Sequence, residues 1–153
     1  MKLMTKEKGP IPLLILLFVL IIQLLIYNYA LFQVIDIFFI NWVGYVLIAT
    51  SLLMLISPLL EFRKQKTTAI VFKKSTTLIT IKLYALTRNP MYMGMFILLL
   101  GIGLLSGNIG SIITAFLFIP IMNHRIIKHE ESMLENEFQD EYNLYKKKVR
   151  RWI

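Results

Sequence analysis

The chain contains no cysteine, which excludes disulfides, thiolate nucleophiles and cysteine-ligated metals. Its two histidines, His124 and His129, are too few for a zinc site. Charge is scarce as well: 17% of residues are charged against 57% apolar, an apolar share above that of an ordinary soluble domain. No titratable side chain interrupts the long apolar runs, where Gln23 and Asn28 are the main polar residues of the first. A small four-helix transporter would need such a group as its coupling site, so that function class finds little support.

The apolar residues are gathered in blocks, the signature of membrane-spanning helices. The 153 residues suffice for a single integral-membrane domain. The first block runs from about residue 13 to 34 and the second from about 38 to 60, with Trp42 and Tyr45 near its start as interfacial aromatics. Each is long enough for a hydrocarbon core of about 30 Å. Lys2, Lys6 and Lys8 precede the first block in the manner of a signal peptide. That block is too long for a signal h-region and no small-residue cleavage site follows it, so a retained helix is expected. A third block, 90–106, and a fourth, 109–124, are short and are joined by the turn sequence "SGNIG". They predict a helical hairpin.

All 17 lysines and arginines fall into three groups: ahead of the first span, between the second and third, and after the fourth. The two turns on the opposite side hold only Asp36 as a charge. The positive-inside rule then predicts four spans with both termini cytoplasmic. It also explains the formal charge of +8 through anionic lipid, so the lipid bilayer and not nucleic acid is the expected partner. The polar segment 61–88 reads as a cytoplasmic loop with short irregular structure. Residues 125–148 carry a helical stripe of Ile127, Leu134, Phe138, Tyr142 and Tyr145 that continues to Val149. This predicts a C-terminal cytoplasmic or interfacial helix, and "VRRWI" beyond it reads as an interfacial anchor. The predicted class is an all-α membrane protein of four transmembrane helices followed by that C-terminal helix. No residue pattern specifies an oligomeric state.

The stretch "LTRNPMYMG" stands where the third span begins. Asn89 suits an N-cap and Pro90 the first helical position. Because the hairpin returns the chain to its entry point, Arg88 is expected within about 10 Å of "NHRIIKHEE", residues 123–131. Arg88, Arg125, His124, His129, Glu130 and Glu131 would then meet at one end of the hairpin. Two readings fit: a site gripping a zwitterion, with arginine on a carboxylate and glutamate on an ammonium, or a solvated, self-neutralising helix turn.

"TRNPMYMG", a hairpin, "R-x-x-x-x-E-E-x-x-L-x-x-x-F" and "Y-x-x-Y-x-x-x-V-R-R-W-I" together resemble the integral-membrane methyltransferase superfamily of isoprenylcysteine carboxyl methyltransferases and phospholipid N-methyltransferases, in particular its short bacterial members. The matching part, about residues 76–153, is half of the chain. The resemblance implies an enzyme using S-adenosylmethionine as methyl donor at the cytoplasmic membrane face, in a bacterial inner membrane. It implies a lipid-like or small hydrophobic acceptor bearing a carboxylate, amine or thiol. Arg88 matches the arginine of the family's R-[HN]-P motif and is the expected catalytic residue. Glu130 and Glu131 match its E-E pair. With Arg88 and Pro90, Tyr84, Tyr92 and His124 are expected to line the cofactor pocket, and no metal is implied. The chain departs from the family at three places: Lys82-Leu83 stands where many relatives have Gly-Pro, Gln139 where glycine follows the phenylalanine, and Asn89 where histidine is frequent. A non-catalytic membrane interaction protein is the other alternative.

Overall fold

The computed structural model describes residues 11–29, 38–64 and 78–153. The sequence expectations for Lys2, Lys6, Lys8, Asp36, Lys66, Lys73, Lys74 and the end of the first span at Val34 lie outside these residues. Among the described residues every regular element is helical. Helix α1 (Ile11–Asn28) and helix α2 (Phe38–Lys64) are long and apolar enough to cross a membrane. Helix α3 (Pro90–Leu105) is apolar but shorter. Helix α4 (Ile109–Met122) leads through a π-helical turn, Asn123–Ile127, into helix α5 (Lys128–Lys148).

Helices α3 and α4 form the expected hairpin, with α2 packed on α3 and α1 packed on α4 and the edge of α3. Its turn uses Gly107 at φ 61°, a conformation that costs glycine nothing sterically. Asn108 caps α4 by accepting from the Gly110 N–H at 2.9 Å. A Cβ on Gly101 would lie 3.0 Å from the Gly44 carbonyl oxygen and 2.9 Å from Ile48, so α2 and α3 approach through small residues, as membrane helices do. Gln23 is the polar clamp of the interior: its amide donates to the carbonyls of Leu99 (3.1 Å) and Ser111 (2.9 Å), tying α1 to the hairpin. The core it joins holds Leu16, Val19, Leu99, Ala115, Phe118 and Met122. Leu14, Phe18, Ile21 and Leu24 on α1 and Val46, Leu53 and Ile56 on α2 face outward, the pattern that a lipid solvent imposes.

Two differences from the sequence reading concern the C-terminal part. The fourth apolar segment and the C-terminal helix are one continuous helical run, with no breaker between Met122 and Lys128; the π turn only widens it. Within α5, Gln139 has φ 42° and ψ −114°, and the chain doubles back there. Glu135 pairs with Lys146, which a straight helix would hold about 16 Å further along its axis. Lys82 (φ 57°) is the other non-glycine residue with positive φ among the described ones. Lys82 and Gln139 stand where the resemblance leads one to expect glycine, and both have the positive φ that glycine adopts freely.

Candidate functional site

The hairpin's open end brings Arg88 and Glu131 together: Nη1 of Arg88 lies 3.1 Å from Oε1 of Glu131, and both side chains are buried, at 9% and 8% exposure. Glu131 is held more firmly from elsewhere. Arg151 donates to it twice, from Nε (3.0 Å) and Nη2 (2.6 Å), a two-point pair of the strong kind. The Arg88 approach is not aligned as a hydrogen bond, and its Nε and Nη1 are buried without a hydrogen-bond partner. Two guanidinium groups therefore share one carboxylate. Buried N–H groups in this condition are costly unless something accepts from them.

Glu130 behaves differently from its neighbour. None of the ion pairs among the described residues reaches it. It accepts from the Tyr92 hydroxyl at 2.9 Å. The residue is half-buried, and protein surrounds its carboxyl. Burial raises its pKa to about 6, the Tyr92 hydrogen bond pulls it down and the negative charge of Glu131 pushes it up. Glu130 is thus a carboxylate poised near neutrality with a free side.

Four tyrosines gather around these acids. Tyr84, on a short 3-10 turn (Lys82–Ala85), sits beside Glu130 with its hydroxyl proton held by burial and by that charge. Its ring meets Phe62 of α2 edge to face, with centroids 6.0 Å apart. Tyr142 is fully buried beside Arg88 and both glutamates, and burial pushes its hydroxyl up to about 12. The Tyr145 hydroxyl donates to the Tyr84 carbonyl at 2.6 Å. Tyr142 and Tyr145 reach the site because the reversal at Gln139 turns the last part of α5 back.

The last residues close the site from outside. The Arg88 N–H donates to the Arg150 carbonyl, and Thr87 Oγ1 and Asn89 Nδ2 both donate to the Arg151 carbonyl, each at 3.0 Å. Trp152 donates from Nε1 to Asn123 Oδ1 (3.0 Å) and packs against the core. "VRRWI" is thus a strap fastened across the start of α3. Asn89 gives no side-chain cap to α3, because its amide is spent on that strap; Pro90 does occupy the first turn, buried.

Of the expected pocket residues, Arg88, Tyr84, Tyr92, Glu130 and Glu131 converge, with Pro90 beneath them. His124 does not: it is exposed, as are Arg125 and His129. The buried stripe runs Met122, Ile126 and Ile127 to Glu131, and His124 and Arg125 fall on the opposite side of it. The second arginine of the cluster is Arg151 instead of Arg125. The signal for it was the paired arginines ahead of a tryptophan in so short a tail, and the stripe position of Tyr142 and Tyr145 gave no sign that they border charged groups.

A model described as phospholipid methyltransferase matches residues 39–141. Over 63 residues the chain is 41% identical to an uncharacterised protein of Haemophilus influenzae, covering 41% of this chain and all of that protein. Over 76 residues it is 38% identical to a protein-S-isoprenylcysteine O-methyltransferase of Schizosaccharomyces pombe, covering 50% of this chain and 32% of that one. The fold is similar to that of a eukaryotic intramembrane Ras methyltransferase, an isoprenylcysteine carboxyl methyltransferase, with TM-score 0.71 and 21% identity. That likeness covers 97% of this chain and 54% of the larger one.

Proposed function

The chain belongs to the phospholipid methyltransferase family, and from that premise we propose that it transfers methyl groups from S-adenosylmethionine to a lipid-like or small hydrophobic acceptor at the cytoplasmic face of a membrane. The reading is carried by one observation: Arg88 holds buried N–H groups without acceptors beside Glu131, whose neighbour Glu130 is a carboxylate that no cation engages among the described residues. An amino-acid zwitterion satisfies both at once.

The residues fit the donor's amino-acid end. Arg88 donates hydrogen bonds to its carboxylate, and the ionised Glu130 accepts hydrogen bonds from its ammonium. Tyr92 fixes the orientation of Glu130 through the hydroxyl hydrogen bond. Tyr84, Tyr142 and Tyr145 keep water from these groups, which strengthens each charge interaction. When bound, S-adenosylmethionine supplies an electrophilic methyl carbon on a sulfonium, and the protein's task is orientation and desolvation. Among the described residues of the apolar segments, 11–28, 38–60, 90–105 and 109–122, no acid, base or histidine offers the transporter alternative a coupling site, and Gln23 is committed to the carbonyls of Leu99 and Ser111.

The test is transfer of labelled methyl from S-adenosylmethionine into total membrane lipid and small-molecule extracts by the full chain in detergent. Label in a lipid-soluble product supports the reading. Folded protein that binds the donor and transfers nothing would instead favour a non-catalytic interaction protein.

A further inference from the structure

We infer that Arg151 is a positioning residue for the donor site: by occupying Glu131, it keeps Arg88 free to receive a carboxylate. This rests on the proposed donor reading and goes beyond it, since Arg151 itself touches no donor group.

The argument is one of competition for a single acid. Glu131 is buried, and besides Arg151 the cation that reaches it among the described residues is Arg88, at the entry of α3. Left alone, the two would form a full pair, and Arg88 would have nothing to offer a ligand. Arg151 changes this outcome. Its Nε and Nη2 engage both oxygens of Glu131, while Arg88 is left with a single unaligned approach. A two-point guanidinium–carboxylate pair gains energy and geometric specificity over a single-point approach, so Arg151 keeps the acid. The net positive charge that remains resides on Arg88, whose Nε and Nη1 are buried without acceptors.

The backbone holds Arg151 to this duty. Its carbonyl accepts from Thr87 and Asn89, and the Arg150 carbonyl accepts from the Arg88 N–H. The residues on either side of Arg88 thus grip the residue whose side chain disarms Glu131. The position of Arg88 and the availability of its N–H groups are set by the same strap. Arg151 is partly exposed, at 30%, so its side chain can be removed without opening a cavity in the core.

The experiment is calorimetric titration of the full chain in detergent with two probes: S-adenosylhomocysteine, which carries the carboxylate, and 5′-methylthioadenosine, which lacks it. Arg151→Ala is expected to weaken S-adenosylhomocysteine at least tenfold while changing 5′-methylthioadenosine less than twofold. Arg151→Lys keeps the charge but only one of the two contacts, and is expected to fall between Arg151→Ala and the natural protein. Helical circular dichroism and a monodisperse elution profile establish that each variant is folded. Equal losses for both probes, no loss for either, or Arg151→Lys no better than Arg151→Ala would overturn the inference. Natural protein that fails to bind S-adenosylhomocysteine would overturn the donor reading itself; natural protein that binds it, with Arg151→Ala unchanged, would overturn only the role of Arg151.

Discussion

The two ends of the α3–α4 hairpin are closed in opposite ways. At the turn end the closure is local: Gly107 provides the reversal, and Asn108 caps the helix that follows it. At the open end it is remote. The start of α3 is bonded to Arg150 and Arg151, more than sixty residues away in sequence. A locally closed end is cheap and chemically quiet. An end closed by a distant strap can carry charged groups inside it, and Arg88, Glu130 and Glu131 are there.

The contrast is broken most severely at Glu131. Glu131→Ala leaves two guanidinium groups without their buried acid and is expected to cost about 3–5 kcal/mol, read as a lower midpoint of unfolding in detergent.

The next effect is on pH. The folded-state pKa of Glu130 is about 6, above the ordinary 4.5, so between these values the folded chain binds more protons than the unfolded one. The contribution of Glu130 to stability is then greatest below about 4.5 and falls as pH rises through about 6, by at most about 2 kcal/mol. Glu130→Gln removes that slope. Donor affinity runs the other way, since only the ionised carboxylate holds an ammonium: it is expected to fall as pH drops below about 6, and to lose this dependence in Glu130→Gln.

At the quiet end, Asn108→Ala removes a cap and is expected to cost about 1 kcal/mol, with donor affinity unchanged. Smallest is a gain. Gln139→Gly relieves a backbone conformation that costs a non-glycine residue about 1–2 kcal/mol, offset in part by glycine's greater freedom when unfolded. A rise in unfolding midpoint worth about 1 kcal/mol is expected, and a fall would show that Gln139 is held there by contacts of its own.

The apolar helices were legible in the sequence because membrane-spanning segments announce themselves by composition and length. So was the meeting of Arg88 with the acids, since a hairpin must return to its start. What could not be read was the division of labour within the pair Glu130–Glu131. Adjacent on one helix, they look equivalent, and only the arrival of Arg151 from the far end of the chain distinguishes them. The sequence reading counted Arg125 and His124 into the cluster, because nearness along the chain was its guide there and the phase of the helix through the π turn was hidden. The reversal at Gln139 was equally hidden: glutamine is a good helix former, and a helical stripe continues across it.

Equilibrium binding of labelled S-adenosylmethionine to the full chain, beside its Arg88→Ala variant, bears most directly on the open end as a donor site. Saturable binding by the natural protein, weakened at least tenfold in the variant (about 1.4 kcal/mol), is the predicted result. Absence of saturable binding by monodisperse, helical protein, or equal affinity in the two, would contradict it.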